Sequence, residues 1–424
     1  MLSEEINQKY IKLLEEELQP AMGCTEPIAV AYASALAKTY LRGEPERVYL
    51  DVSGNIIKNV KSVVVPNTGG LRGLEVSVAA GIVVGDASKK LRVIAEATPE
   101  AITKISPFLE RVPVVVRHAK TDYIFDIKIT LENSDHSSVV RIVDHHTNVV
   151  EIQQDGNNVE VGDSDQLNNQ LSDRSFMSVA GIVEFADSVD IEEIRPVLER
   201  QIEYNSAISQ EGMRGDYGAN IGKVLLSVYG DEIQTRARAM AAAGSDARMN
   251  GCQMPVVINS GSGNQGIAAS VPVIEYAKEL GSTQEQLLRA LAVSNLITIH
   301  MKTGIGRLSA YCGVVCAGCG SGAGIAHLQS GGLDEIAHTI VNAVAITSGI
   351  VCDGAKASCA AKISAAVDAG IMGYHMYKNG QQFHGGEGIV SKEIENTIIN
   401  VGELARQGMA ETDLEILRIM LKGD

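Results

Sequence analysis

Seven cysteines are spread unevenly along this 424-residue chain. Cys24 and Cys252 stand alone, whereas Cys312, Cys316, Cys319, Cys352 and Cys359 fall in one short stretch. Thiolates are the usual protein ligands of iron–sulfur clusters and of structural zinc. The competing reading is a set of incidental core thiols, since cysteine is among the most buried residue types. The density of the group, in a chain otherwise poor in cysteine, argues against it.

Cys312, Cys316 and Cys319 share the C-x3-C-x2-C spacing of radical S-adenosylmethionine enzymes. That motif belongs in a loop after the first strand of a barrel, with most of the chain downstream. Here it lies in the last third of the chain, in surroundings that read as helical, and three- and four-residue steps put all three thiols on one helix face without any metal.

Other segments carry polar chemistry. Asn259-Ser260-Gly261-Ser262-Gly263-Asn264-Gln265-Gly266 alternates glycine with serine, which exposes backbone N–H groups as a nest for a carboxylate or phosphate. Upstream, Ser245-Asp246-Ala247-Arg248-Met249 offers a guanidinium that could grip a carboxylate, against the plainer alternative of an Asp–Arg pair. Gly23-Cys24-Thr25-Glu26-Pro27 lies between two helices, where a helix N-terminus would lower the thiol pKa of Cys24. Asp144-His145-His146-Thr147-Asn148 invites a zinc reading, but neighbours on a strand point to opposite faces, which favours a structural or regulatory role.

The elements that must position these residues follow from periodicity. Helical repeats cover 3–18, a second Ala-rich helix ends near Leu41, and further helices fall at 175–188, 191–204, 285–300, 333–348 and 411–422, separated by Gly-rich loops. Between them, β-branched runs predict strands at Val48–Val52, Val60–Val65, Leu91–Glu96, Val112–His118, Tyr123–Leu131 and Val139–Ile152, with helical stretches near 71–83 and 98–110. The expected fold class is α+β: a largely helical catalytic domain of residues 1–44 plus 173–424, with a smaller α/β domain, 45–172, inserted and followed by a polar linker at 163–174.

Bulk properties limit the partners. A net charge of −16 without a basic stripe argues against nucleic acid and anionic membranes. The start reads as an acidic amphipathic helix rather than a signal peptide, and no long apolar run appears. A cytoplasmic location, reduced cysteines and a small-molecule substrate are the expectations, and a homodimer is compatible with them.

Taken together these segments resemble the L-cysteine desulfidase family, relatives of the iron–sulfur L-serine dehydratases. The resemblance spans nearly the whole chain: Gly23–Pro27, Ser245–Met249, Ser260–Gly266, Arg307-Leu308-Ser309 with Cys312, Cys352-Asp353-Gly354-Ala355 with Ser358-Cys359-Ala360 and Lys362, and Glu387-Gly388-Ile389-Val390. It implies a [4Fe–4S] cluster held by Cys312, Cys352 and Cys359, with one iron left for substrate. Cys316 and Cys319 are departures from the family pattern. The implied reaction is β-elimination from L-cysteine to hydrogen sulfide, ammonia and pyruvate by an oxygen-sensitive lyase. Arg248 and the loop Ser260, Gly261, Ser262, Gly263, Asn264 and Gln265 would hold the carboxylate, and Cys24, with Glu26 beside it, would take the α-proton as a thiolate. An iron–sulfur serine or threonine dehydratase is the alternative. A pyridoxal-phosphate lyase is another, although no lysine stands in a convincing Schiff-base context, and a zinc-stapled binding protein is the non-enzymatic one.

Overall fold

The computed structural model describes residues 2–121, 123–159, 172–306 and 309–422. Most of the expected linker at 163–174 falls outside them, as do Arg307 and Leu308. The chain opens with α1 (Glu4–Glu17), whose N-terminus is capped by the Ser3 hydroxyl, then β1 (Pro20–Met22) and α2 (Thr25–Tyr40). The α/β unit continues as β2 (Arg47–Val52), α3 (Gly54–Val60), α4 (Leu74–Val84), α5 (Pro99–Ile102) and α6 (Ile105–Arg111). Its strands are completed by β3 (Val114–His118), β4 (Asp126–Glu132), β5 (Ser137–Val143), β6 (Val149–Gln154) and β7 (Asn157–Asn158). Helices then dominate: α7 (Val179–Ser188), α8 (Ile191–Arg214), α9 (Ile221–Tyr229) and α10 (Ile233–Met249), followed by the short β8 (Pro255–Val257). The last part comprises α11 (Gly263–Leu280), α12 (Gln284–Ile305), α13 (Val314–Leu328), α14 (Leu333–Thr347), α15 (Cys359–Lys378), α16 (Ile394–Glu403) and α17 (Ala410–Leu421).

The larger sheet runs β3-β2-β4-β5-β6-β7, with β2 and β3 parallel and the other neighbours antiparallel. Along β4, Ile127, Ile129 and Leu131 are buried while Lys128 and Thr130 face outward, the alternation that a one-sided sheet requires. The outer face carries charge pairs such as Arg141 on Asp126 and Arg117 on Asp51. The inner face packs on α2 and α4, and these elements share one apolar core. Residues 25–40, placed with the helical domain on sequence grounds, thus share their core with the sheet.

Three strand expectations change. Val60–Val65 is the end of α3 and a turn, and Leu91–Glu96 is the end of a 3-10 segment, Ala87–Arg92, and the turn that follows it. A short buried apolar run does not distinguish strand from helix by period alone. Val139–Ile152 is two strands, broken by a turn in which Asp144 has φ of 63°.

In the helical part, α13 is packed by α11, α12, α14 and α15. Its glycines are the reason it fits. A Cβ at Gly318 would lie 2.2 Å from the Ala366 oxygen, and one at Gly320 would lie 2.3 Å from Thr298 Oγ1. These glycines let the helices touch. β1 and β8 pair antiparallel, Pro20 with Val257 and Met22 with Pro255, which ties the segment before Cys24 to the segment before Ser260. We expect Gly318→Ala to cost about 1–3 kcal/mol by overpacking. Thermal denaturation should show a lower midpoint for it and an unchanged one for Gly332→Ala, whose Cβ would meet nothing within 4 Å.

Candidate active site

A cavity of about 910 Å³ lies where the α/β unit meets the helical part. Cys24, Glu26, Arg248, Ser260, Gly261, Ser262, Asn264, Gln265, Cys312, Cys352 and Cys359 all line it. Gly263 sits immediately behind, because the Arg248 guanidinium lies over it: a Cβ there would be 2.3 Å from Nε. Four helices start at the cavity wall. Cys24 precedes α2, Ser262 precedes α11, Gly313 precedes α13, and Cys359 opens α15. Helix N-termini carry partial positive charge and N–H groups without helical partners, so the wall favours anions.

Ser260 and Gly261 both have positive φ, 50° and 80°, and Asn259 and Ser262 exchange backbone hydrogen bonds. This is a type I′ turn leading into α11, rather than an open nest of alternating residues. Buried amides hold it: Asn259 donates to Asn295 Oδ1 at 3.0 Å, and Asn295 exchanges hydrogen bonds with Gln201. Asn205 fixes β8 by donating to the Val257 carbonyl and accepting from its N–H. Sequence reasoning passed over this network because its amides come from α8, α12 and the turn before α11, far apart in the chain.

Arg248 is 5% exposed, donates to Asn264 Oδ1 at 3.2 Å, and has no carboxylate partner among the described residues; its Nε is buried without a partner. The expected alternative, a pair with Asp246, is not formed. Asp246 accepts from the Gly222 N–H and so serves the start of α9. Gln265 Oε1 and the Tyr311 hydroxyl are likewise buried without partners, and both residues line the cavity.

Cys24 has the helix-start position foreseen for it but the opposite acidity. Burial pushes its thiol up to about 12, against the favourable charge and hydrogen bond of Arg248. Desolvation of a thiolate outweighs one helix terminus. Glu26 is half-buried and accepts from the Thr25 hydroxyl.

Cys312 and Cys352 are brought together by a short antiparallel bridge: the Cys312 N–H donates to Ile350, and the Cys352 N–H to Ala310. Their thiols are hydrogen-bonded. The bond from Cys312 holds Cys352 well below the usual thiol range, helped by Lys58, and Cys312 is raised in return. Cys359 lies beyond Gly354, whose φ of 98° and close approach to the Lys58 carbonyl exclude any side chain. Cys316 and Cys319 are separated from these three. They are buried within α13 and do not line the cavity, so the C-x3-C-x2-C spacing does not act as one unit.

Other residues were missed. Lys58 and Lys302, 3% and 4% exposed, line the cavity. Lys58 is paired with Asp413 of α17. Burial lowers the Lys302 pKa against the pull of nearby thiolates. The signal for Lys302 was a lysine in register with the buried stripe Leu291, Asn295 and Thr298 of α12. His145 and His146 both line the cavity, because they lie in the β5–β6 turn rather than on a strand as assumed. Glu387–Val390 forms a turn away from the cavity, with the Gly386 N–H donating to Val390.

The serine dehydratase alpha chain family matches residues 88–418. The chain belongs to that family. A UPF0597 protein of Desulfitobacterium hafniense (strain Y51) is 61% identical over 415 residues, 98% of this chain and 96% of that one. UPF0597 proteins of Lachnoclostridium phytofermentans and Treponema denticola are 49% and 43% identical, each over 98% of this chain and 99% and 98% of theirs. Cys24 and Glu26 lie ahead of the family match but within the length covered by these relatives. Among the described residues no helix is long and apolar enough to cross a membrane.

Asp246 yields a pH prediction. Burial raises its carboxyl to about 6 from an ordinary 3.8, against hydrogen bonds from the Gly222 and Ile221 N–H groups. The folded chain therefore binds more protons than the unfolded one between these values. This contribution to stability is complete below about pH 4 and is lost as pH rises through about 6. Asp246→Asn should flatten that part of the thermal-midpoint profile; an unchanged slope would place the titration elsewhere.

Proposed function

We propose that this chain is an iron–sulfur-dependent lyase that removes the β-substituent of a small L-amino acid, with L-cysteine as substrate. The observation that supports it is Arg248, buried without a carboxylate partner among the described residues, in the cavity that also gathers three thiols from separate elements.

Cys312, Cys352 and Cys359 would hold a [4Fe–4S] cluster, and their chemistry suits it. They are soft donors, and Cys312, Lys58 and Lys362 around Cys352 favour its thiolate. Bound there, the cluster supplies a Lewis acid for the substrate.

The remaining work falls to the chain itself. Arg248 and the N–H groups that open α11 hold the carboxylate, which places the α-carbon near Cys24. Cys24 moves the α-proton, for which its thiol must first lose its own, and Arg248 favours that loss. Elimination leaves aminoacrylate and sulfide, and water converts the former to pyruvate and ammonia. Serine is the alternative substrate on the family's own name, and the same residues would serve it.

Anaerobic protein should release sulfide and pyruvate from L-cysteine with a higher kcat/KM than it deaminates L-serine; the reverse order makes it a dehydratase. Its absorbance should be a broad shoulder that dithionite bleaches, whereas a defined band that dithionite leaves unchanged would indicate pyridoxal phosphate. Ala at position 312, 352 or 359 should remove iron and activity, while Cys316→Ala and Cys319→Ala should keep both. Arg248→Lys retains charge but loses the planar fork, so KM should rise about tenfold or more. Cys24→Ser should lower turnover at least about a hundredfold with the iron content unchanged.

A further inference from the structure

Lys302 has no part in the reading above, yet the fold holds it in place. It projects from α12 into the cavity wall beside Cys312 and Cys352 and is 4% exposed. Cys316, Cys352, Cys312 and Lys58 are the charged or ionisable groups that act on it most strongly, and it forms no ion pair with a carboxylate among the described residues. The neighbouring cations differ. Lys58 is answered by Asp413, Lys362 by Asp353, and Arg248 donates to Asn264. An ammonium buried without a counter-ion is costly, and a fold retains it where an anion comes to meet it. Nor can the side chain easily withdraw, because α12 is clamped on α13, with Gly320 tight against Thr298 one turn away.

We propose that Lys302 is a positioning residue for the group held by Cys312, Cys352 and Cys359, its ammonium offsetting the negative charge that three thiolates bring into the cavity. This rests on the iron–sulfur reading. A cluster gains a further negative charge on reduction, so a fixed cation beside its ligands favours the reduced form. Lys58 and Lys362 contribute less, because each is already answered by a carboxylate.

The test compares wild type with Lys302→Met, Lys302→Gln and Lys302→Arg, each reconstituted anaerobically with ferrous iron and sulfide. Iron and sulfide per chain are measured, followed by a potentiometric titration. The neutral variants should show at least a tenfold lower ratio of reduced to oxidised cluster at a fixed potential, about 59 mV for a one-electron couple. Lys302→Arg should restore the wild-type ratio. A folded neutral variant that loads no iron, beside an Arg variant that does, supports the same role. Full loading with an unmoved potential in both neutral variants overturns it. If neither neutral variant folds, the Arg variant decides: a wild-type ratio supports the role and a tenfold change overturns it. Wild type that binds neither iron nor sulfide overturns the iron–sulfur reading instead.

Discussion

Positive charge gathered inside an acidic protein is the constraint around which the rest of the structure is arranged. The chain carries a net charge of −16, yet Arg248, Lys58, Lys302 and Lys362 and the starts of four helices all face one cavity. Such a concentration is unfavourable unless it is answered: Asp413 answers Lys58 and Asp353 answers Lys362, while Arg248 and Lys302 are left to the cavity's thiols and to whatever anion it takes. On the reading proposed above, a substrate carboxylate beside thiolate-held metal would put two anions in one place. A zwitterionic amino acid carries no net charge for the acidic exterior to act on at long range, so the attraction must be short-ranged and built into the wall.

The wall holds its shape because its parts are anchored outside it. The type I′ turn before α11 hangs on a buried amide chain from Gln201 through Asn295 to Asn259. Gly263 exists to let the guanidinium lie flat, and Gly354 to let the loop of Cys352 reach the Lys58 carbonyl. These are fitted contacts in which an added methyl group has no place to go, so the positions of the thiols and of Arg248 are set by packing rather than by the site itself.

Local patterns made much of this legible. The resemblance to the desulfidase family, not the spacing, set Cys312, Cys352 and Cys359 apart from Cys316 and Cys319; the first three line the cavity and the other two lie in the core of α13. Long periodic segments such as α1, α12 and α14 stood near their expected bounds. What escaped was non-local. The stretch of α13 reads as helical, but what its glycines are for shows only when α15 and α12 are seen against them. The acidity of Cys24 could not be judged, because its helix position argues one way and its burial, which depends on distant chain, argues the other. Lys302 is one lysine on a helix until its neighbours are known.

The double allegiance of α2 has a mechanical side. Its body is fixed to the sheet through the shared core, while its first turn, with Cys24, forms part of a wall otherwise made largely by the helical part. At about 1.5 Å per residue the helix is a stiff rod roughly 24 Å long. A tilt of about 5° pivoted at its far end would swing Cys24 by roughly 2 Å, and misplacement of about 1 Å is already enough to cost a reaction two orders of magnitude. Any force that leans the sheet against the helices therefore bears on the distance between Cys24 and Arg248, and is resisted where β1 pairs with β8 just ahead of Cys24.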